Sequence, residues 1–89
     1  MPFTILLTPN SEKDIRKLSK IIKKQVIEFL KHLETLDVVS FEKLTGFPYY
    51  KERIGSYRLI FDLSQINENI IVLIFVEHRE KVYDRLKKK

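Results

Sequence analysis

Seven apolar residues in a row, Ile70 to Val76, constrain this chain more than any other feature. The run falls far short of the roughly 20 residues a membrane span needs. Without polar alternation, it reads as a strand covered on both faces, or nearly so, and hence central in a sheet.

The remaining residues must supply the cover. The chain has 89 residues, enough for one domain, residues 1–89, and not two. Folding at this size buries roughly 65% of the unfolded chain's area. That suffices for one core but not for a core around an elaborate pocket. A large closed cavity, a dinucleotide-binding fold and a barrel enzyme are excluded, so any chemistry must sit on an open surface.

There is no Cys. Disulfide frameworks, thiolate zinc sites, iron–sulfur clusters and Cys nucleophiles are therefore ruled out. Two histidines, His32 and His78, make a His-rich metal site a poor reading, and no metal or cofactor is expected. The stretch Met1 to Leu7 lacks a basic leader region and a small-residue cleavage site, so a cytoplasmic protein without membrane attachment is expected.

Seventeen Lys and Arg against twelve Asp and Glu leave a charge of +5. An anionic partner, nucleic acid above all, fits that balance. Plain solubility fits it equally. Residues 1–45 carry eight cations and six anions, and residues 46–89 carry nine and six. The information therefore lies in where the cations point.

Residues 3–8 are apolar and β-branched and predict a first strand, ended by Pro9. Asn10 or Ser11 is the expected helix N-cap, with Asp14 completing a weak capping box. Apolar residues then recur at Ile15, Leu18, Ile22, Val26, Phe29, Leu33 and Leu36, one stripe of helical period. Lys13, Lys17, Lys20, Lys24, Lys31 and Glu34 lie opposite, a solvated face, and His32 is read as surface. Taken alone, the stripe is a single helix of about 26 residues. Ser19, with its weaker helix preference, marks a candidate break.

Residues 37–48 read as a connection, with Phe41, Leu44 and Phe47 holding it to the core. Tyr49–Ile54 and Tyr57–Leu63 are β-prone runs joined by Gly55-Ser56, the signal for a two-residue type II′ hairpin. Residues 64–69 form a polar turn before the apolar run. Val82, Tyr83 and Leu86 are spaced as a short C-terminal helix.

A two-residue turn fixes the hairpin's register. Ile54 pairs with Tyr57, Arg53 with Arg58, Glu52 with Leu59 and Lys51 with Ile60. Alternation then puts Lys51, Arg53 and Arg58 on one face. Tyr50, Glu52, Ile54, Tyr57, Leu59, Phe61 and Leu63 take the other, which should meet the helices. Two arginines directly opposite repel by tenths of a kcal/mol to about 1 kcal/mol. A phosphate site makes use of such a pair, since their donors converge on one anion. Arg79 could add a fourth cation, and Tyr83, four residues on, a ring to stack on a base. The alternative is that these cations are ordinary edge charges blocking aggregation, with Tyr83 a core anchor.

Three stretches carry a resemblance. They are Lys43-Leu44-Thr45-Gly46, then Tyr50-Lys51-Glu52-Arg53-Ile54-Gly55-Ser56-Tyr57-Arg58-Leu59-Ile60-Phe61, then Val76-Glu77-His78-Arg79-Glu80-Lys81-Val82-Tyr83. In order and spacing they resemble the RelE/ParE superfamily of type II toxins over the whole chain. That resemblance implies an α+β fold, β-α-α-β-β-β-α, with a helical hairpin on a small, mainly antiparallel twisted sheet. It favours a break near Ser19. It also implies a RelB-like antitoxin as partner, with operator DNA reached only through that antitoxin.

RelE-like members cut mRNA in the ribosomal A site, and ParE-like members poison DNA gyrase. The RelE-like cluster of cations with a C-terminal Tyr matches Lys51, Arg53, Arg58, Arg79 and Tyr83, which makes these the expected catalytic and RNA-binding residues. Arg53 stands where some active members carry Lys, so proton transfer is not expected of it. Lys51 is the candidate base, its pKa expected to be lowered by three arginines. His78 and Glu52 are candidates for proton transfer, although alternation sends both to the other face.

Overall fold

The computed structural model describes residues 2–88. Strand β1 (Thr4–Leu7) leads into helices α1 (Pro9–Arg16) and α2 (Lys20–Leu33). Four strands follow: β2 (Glu42–Lys43), β3 (Tyr50–Ile54), β4 (Tyr57–Asp62) and β5 (Ile70–His78). Helix α3 (Val82–Lys87) comes last. The sheet order is β1-β5-β4-β3-β2, with β1 parallel to β5 and every other pair antiparallel. The expected α+β architecture is the observed one, with the two-residue β2 as an addition inside the segment read as a connection.

Helix α1 starts earlier than the sequence suggests. Its N-cap is Thr8, not Asn10 or Ser11, and Pro9 opens the helix instead of merely ending the strand. Proline suits that first position because its missing N–H is one the helix leaves unpaired anyway. Thr8 Oγ1 accepts the Ser11 N–H at 3.1 Å, and the buried Ser11 hydroxyl donates back to the Thr8 carbonyl at 2.9 Å. Asp14 takes no part in the cap. It serves a contact 62 residues away, described below.

The apolar stripe is split where Ser19 allowed it. Ser19 is extended, with φ −61° and ψ 158°, and α2 begins at the next residue. Its side chain makes no cap hydrogen bond. The lysines of the outer face and His32 are exposed.

The hairpin has the predicted register, Ile54↔Tyr57, Arg53↔Arg58, Glu52↔Leu59 and Lys51↔Ile60. Gly55 has φ +58°, and among the described residues only Asn69 is a non-glycine with positive φ. One positive φ, at the first turn position, is the type II′ signature. The apolar run lies in β5, between β1 and β4, as its composition required.

Each face of this sheet has its own core. Leu59, Phe61, Ile71, Leu73 and Val76 pack against Ile15, Val26, Leu30 and Leu33 of the helices. Ile54, Tyr57 and Leu63 join this face as expected. On the other side Ile60, Ile74 and Phe75 pack against Leu44, Val82 and Leu86. A register shift at Ile60/Phe61 lets neighbouring Ile74 and Phe75 both reach that second core. Phe41 stacks on Phe61 with centroids 4.6 Å apart, and Leu44 is fully buried, so the 37–48 segment is anchored as predicted.

Candidate functional site

The face bearing the cations is only partly open, because α3 covers its middle. Around that cover Lys51, Arg53 and Arg58 stand on the same side of the hairpin. Arg79 precedes α3, the helix that carries Tyr83. It lies in the turn after β5, and its backbone N–H donates to the Ser56 carbonyl at 2.8 Å. That bond ties the end of β5 to the hairpin tip and brings the third arginine to the other two. The effect is electrostatic: burial first, then Arg53 and Arg79, hold the Arg58 guanidinium below its ordinary range. Guanidinium remains charged at neutral pH even so. Arg58 also donates to the carbonyls of Tyr57 at 3.0 Å and Gly55 at 3.3 Å, which fixes its direction against the turn.

Lys51 is placed differently. Its ammonium lies 3.3 Å from a Glu42 carboxylate oxygen across the β2–β3 pair. The expected crowding by arginines thus meets a counter-charge supplied by a strand too short to be seen in the sequence. An open groove of about 370 Å³ runs here between Glu42, Lys51, Glu52 and Arg53.

Tyr83 is 43% exposed on α3, while its neighbour Val82 is buried. Its ring lies 6.2 Å from that of Phe47. The Lys43 ammonium donates to the Phe47 carbonyl at 3.1 Å and steadies that loop. Phe47 is therefore a neighbour of the candidate site that spacing alone did not reveal.

His78 and Glu52 lie off the basic face, as alternation required. The His78 ring meets that of Tyr57 edge-on at 5.5 Å, and its Nδ1 accepts the Glu80 N–H at 3.3 Å. Glu52 lines a groove with Phe29, His32, Leu33 and Leu36. Burial, and secondarily Glu42, push its carboxyl above the ordinary value.

A further set of charges joins three elements. Arg85 of α3 approaches Asp14 of α1 at 2.9 Å and Glu77 of β5 at 3.3 Å. Strand β1 pairs only as far as Leu73, which leaves the end of β5 without a partner on that side. There the Val76 N–H donates to Asp14 Oδ2 at 3.1 Å, and Arg85 Nη1 donates to the Val76 carbonyl at 3.3 Å. An ion pair thus does for Val76 what a strand would otherwise do. The guanidinium also sits 4.4 Å above the Phe75 ring.

The fold has solved counterparts. The archaeal toxin in the RelB–RelE complex of Methanococcus jannaschii is 22% identical, covers 89% of this chain and 95% of its own, and has a TM-score of 0.73. RelBE2 of Mycobacterium tuberculosis is 27% identical, covering 89% of this chain and all of that one, at 0.68. A free, doubly substituted RelE from Escherichia coli is 25% identical, covering 94% and 93%, at 0.73. No curated protein matches the chain. The family model of the ParE toxin of the type II toxin–antitoxin system parDE matches residues 5–83. With that match over nearly the whole chain, on the fold of the RelE toxins, the protein belongs to the RelE/ParE superfamily and is a type II toxin.

Proposed function

We propose that this toxin is a ribosome-dependent endoribonuclease that cuts mRNA in the A site and so stops translation in the cytoplasm. The observation that supports it best is the cluster of Arg53, Arg58 and Arg79, three like charges held together by the hairpin register and by the turn after β5, close enough that Arg53 and Arg79 add to burial in lowering the Arg58 guanidinium. Stability alone gives no reason to assemble it.

Metal-independent cleavage proceeds by attack of a 2′-hydroxyl on the adjacent phosphorus, with loss of the 5′-oxygen, which takes a proton from water as it departs. The charge that builds on the phosphorane is the task for the three guanidiniums, which grip phosphate oxygens bidentately. Tyr83 and neighbouring Phe47 offer rings on which an unpaired base stacks, orienting the nucleotide. Lys51 takes the 2′ proton only as the neutral amine, after it has left Glu42 and given its own proton to solvent, so substrate must first displace that ion pair. The ribosome supplies the walls that an open face lacks. A RelB-like antitoxin is the proposed partner, as in the complexes named for RelB and RelE, and operator DNA is reached only through it.

A second reading, a ParE-like inhibitor of DNA gyrase, is favoured by the ParE family model and by the engaged state of Lys51. Toeprinting of mRNA on translating ribosomes, run beside a gyrase supercoiling assay, separates the two readings. Ribosome-dependent cuts that vanish in Arg58→Ala and Arg79→Ala are expected. Intact mRNA with inhibited supercoiling would reverse the assignment, and growth unaffected by expression would point to an inactive corepressor.

A further inference from the structure

Arg58 has a carboxylate as its direct neighbour in the sheet. The β4–β5 ladder places Glu77 opposite Arg58, and such partners have Cβ atoms about 5 Å apart on the same face. Left to itself, that pair would form a cross-strand ion pair and remove the central guanidinium from phosphate binding. Among the described residues it does not form. Glu77 Oε1 instead meets Arg85 at 3.3 Å, while Glu77 Oε2 accepts the His78 N–H at 3.0 Å. Arg58 turns to the Tyr57 and Gly55 carbonyls.

The geometry points to Arg85 as a positioning residue that holds Glu77 away from Arg58 and so keeps the arginine cluster available to phosphate. It touches no substrate in this role and acts through Glu77. Its own place is secured from three sides: the Asp14 carboxylate, the Val76 carbonyl and the Phe75 ring. A guanidinium suits the position because one planar fork serves several acceptors at once, and because it cannot lose its charge. The proposal rests on the endoribonuclease reading for its activity test, and it has a second test that does not.

The experiment is a suppressor comparison on the full chain. Arg85→Gln can still donate to Val76 and Asp14 but presents no charge to Glu77. It is expected to cut ribosome-bound mRNA at least tenfold more slowly, with the loss falling mainly on KM. Glu77→Gln alone should stay within threefold of the parent. The double substitution should recover to within threefold, because no carboxylate is left to occupy Arg58. Arg85→Lys should retain most activity. A double variant as slow as Arg85→Gln overturns the proposal, since a merely structural loss is not repaired by removing Glu77. The same comparison is read by NMR at the Arg58 side-chain Nε–H. That resonance should move in Arg85→Gln and return in the double variant, and one that stays put in both overturns the inference. If the parent protein leaves mRNA uncut, the nuclease reading falls and the resonance still decides the role of Arg85.

Discussion

The two faces of the sheet are built from alternate residues of the same strands, yet they are used differently. The helix-covered face is apolar almost throughout, from Ile54 to Leu63 along the hairpin and from Ile71 to Val76 along β5. The other face has a compact core at its centre, Ile60, Ile74 and Phe75 under Val82 and Leu86, with Lys51, Arg53, Arg58 and Arg79 outside it. Helix α3 has six residues, too few to persist alone. It is held by two buried side chains and by Arg85. A small domain can carry a charged face if the opposite face supplies most of the stability.

Phe61→Ala should cost the most stability. It removes a fully buried ring stacked on Phe41 from the main core, at a cost of about 3–5 kcal/mol. Denaturant midpoints measure it, and a loss under about 1 kcal/mol would mean the helix-side core is not the main support. Arg58→Ala and Arg79→Ala are the opposite case. mRNA cleavage should fall by at least about 100-fold, the scale for losing one preorganised donor. The unfolding free energy should stay within about 0.5 kcal/mol of the parent's. A large fall in stability would mean the cations belong to the scaffold.

Gly55→Ala probes the turn that sets which residues share a face. A Cβ there meets only Ile22 Cδ1, at an ordinary 3.6 Å, so the cost comes from the backbone at φ +58°. That is about 1–2 kcal/mol by equilibrium unfolding. Glu52→Gln is the smallest change and stabilises. Because burial raises the Glu52 carboxyl above its ordinary 4.5, the folded state is penalised once the group ionises. The penalty is absent below that ordinary value and develops as pH rises through the raised one. Glu52→Gln should therefore gain a few tenths of a kcal/mol at neutral pH and nothing in acid. Equal gains at both pH values would assign the effect to packing.

The hairpin was fully legible before folding. Gly55-Ser56 leaves two residues to reverse the chain, so Arg53 opposite Arg58 follows from counting, as do the apolar face and the turning away of Glu52. Asp14 was misread for the opposite reason. In sequence it is three residues after Ser11 and looks like part of a cap, while its real partners are Val76 and Arg85, 62 and 71 residues away. Glu42 carried no signal, because two residues show no alternation. Tyr83 was found on the strength of resemblance, but Phe47 beside it was assigned only to the core.

Local chemistry in the sequence determined every strand and helix type except β2, the hairpin register and the shared face of Lys51, Arg53 and Arg58, because backbone periodicity and a two-residue turn act over a few bonds. Tertiary structure alone decided where those charges find partners. It set Glu42 on Lys51, Arg79 at the hairpin tip and Arg85 between Asp14 and Glu77. Electrostatic pairing depends on distance in space, and the packing of α1 and α3 against β5 sets those distances.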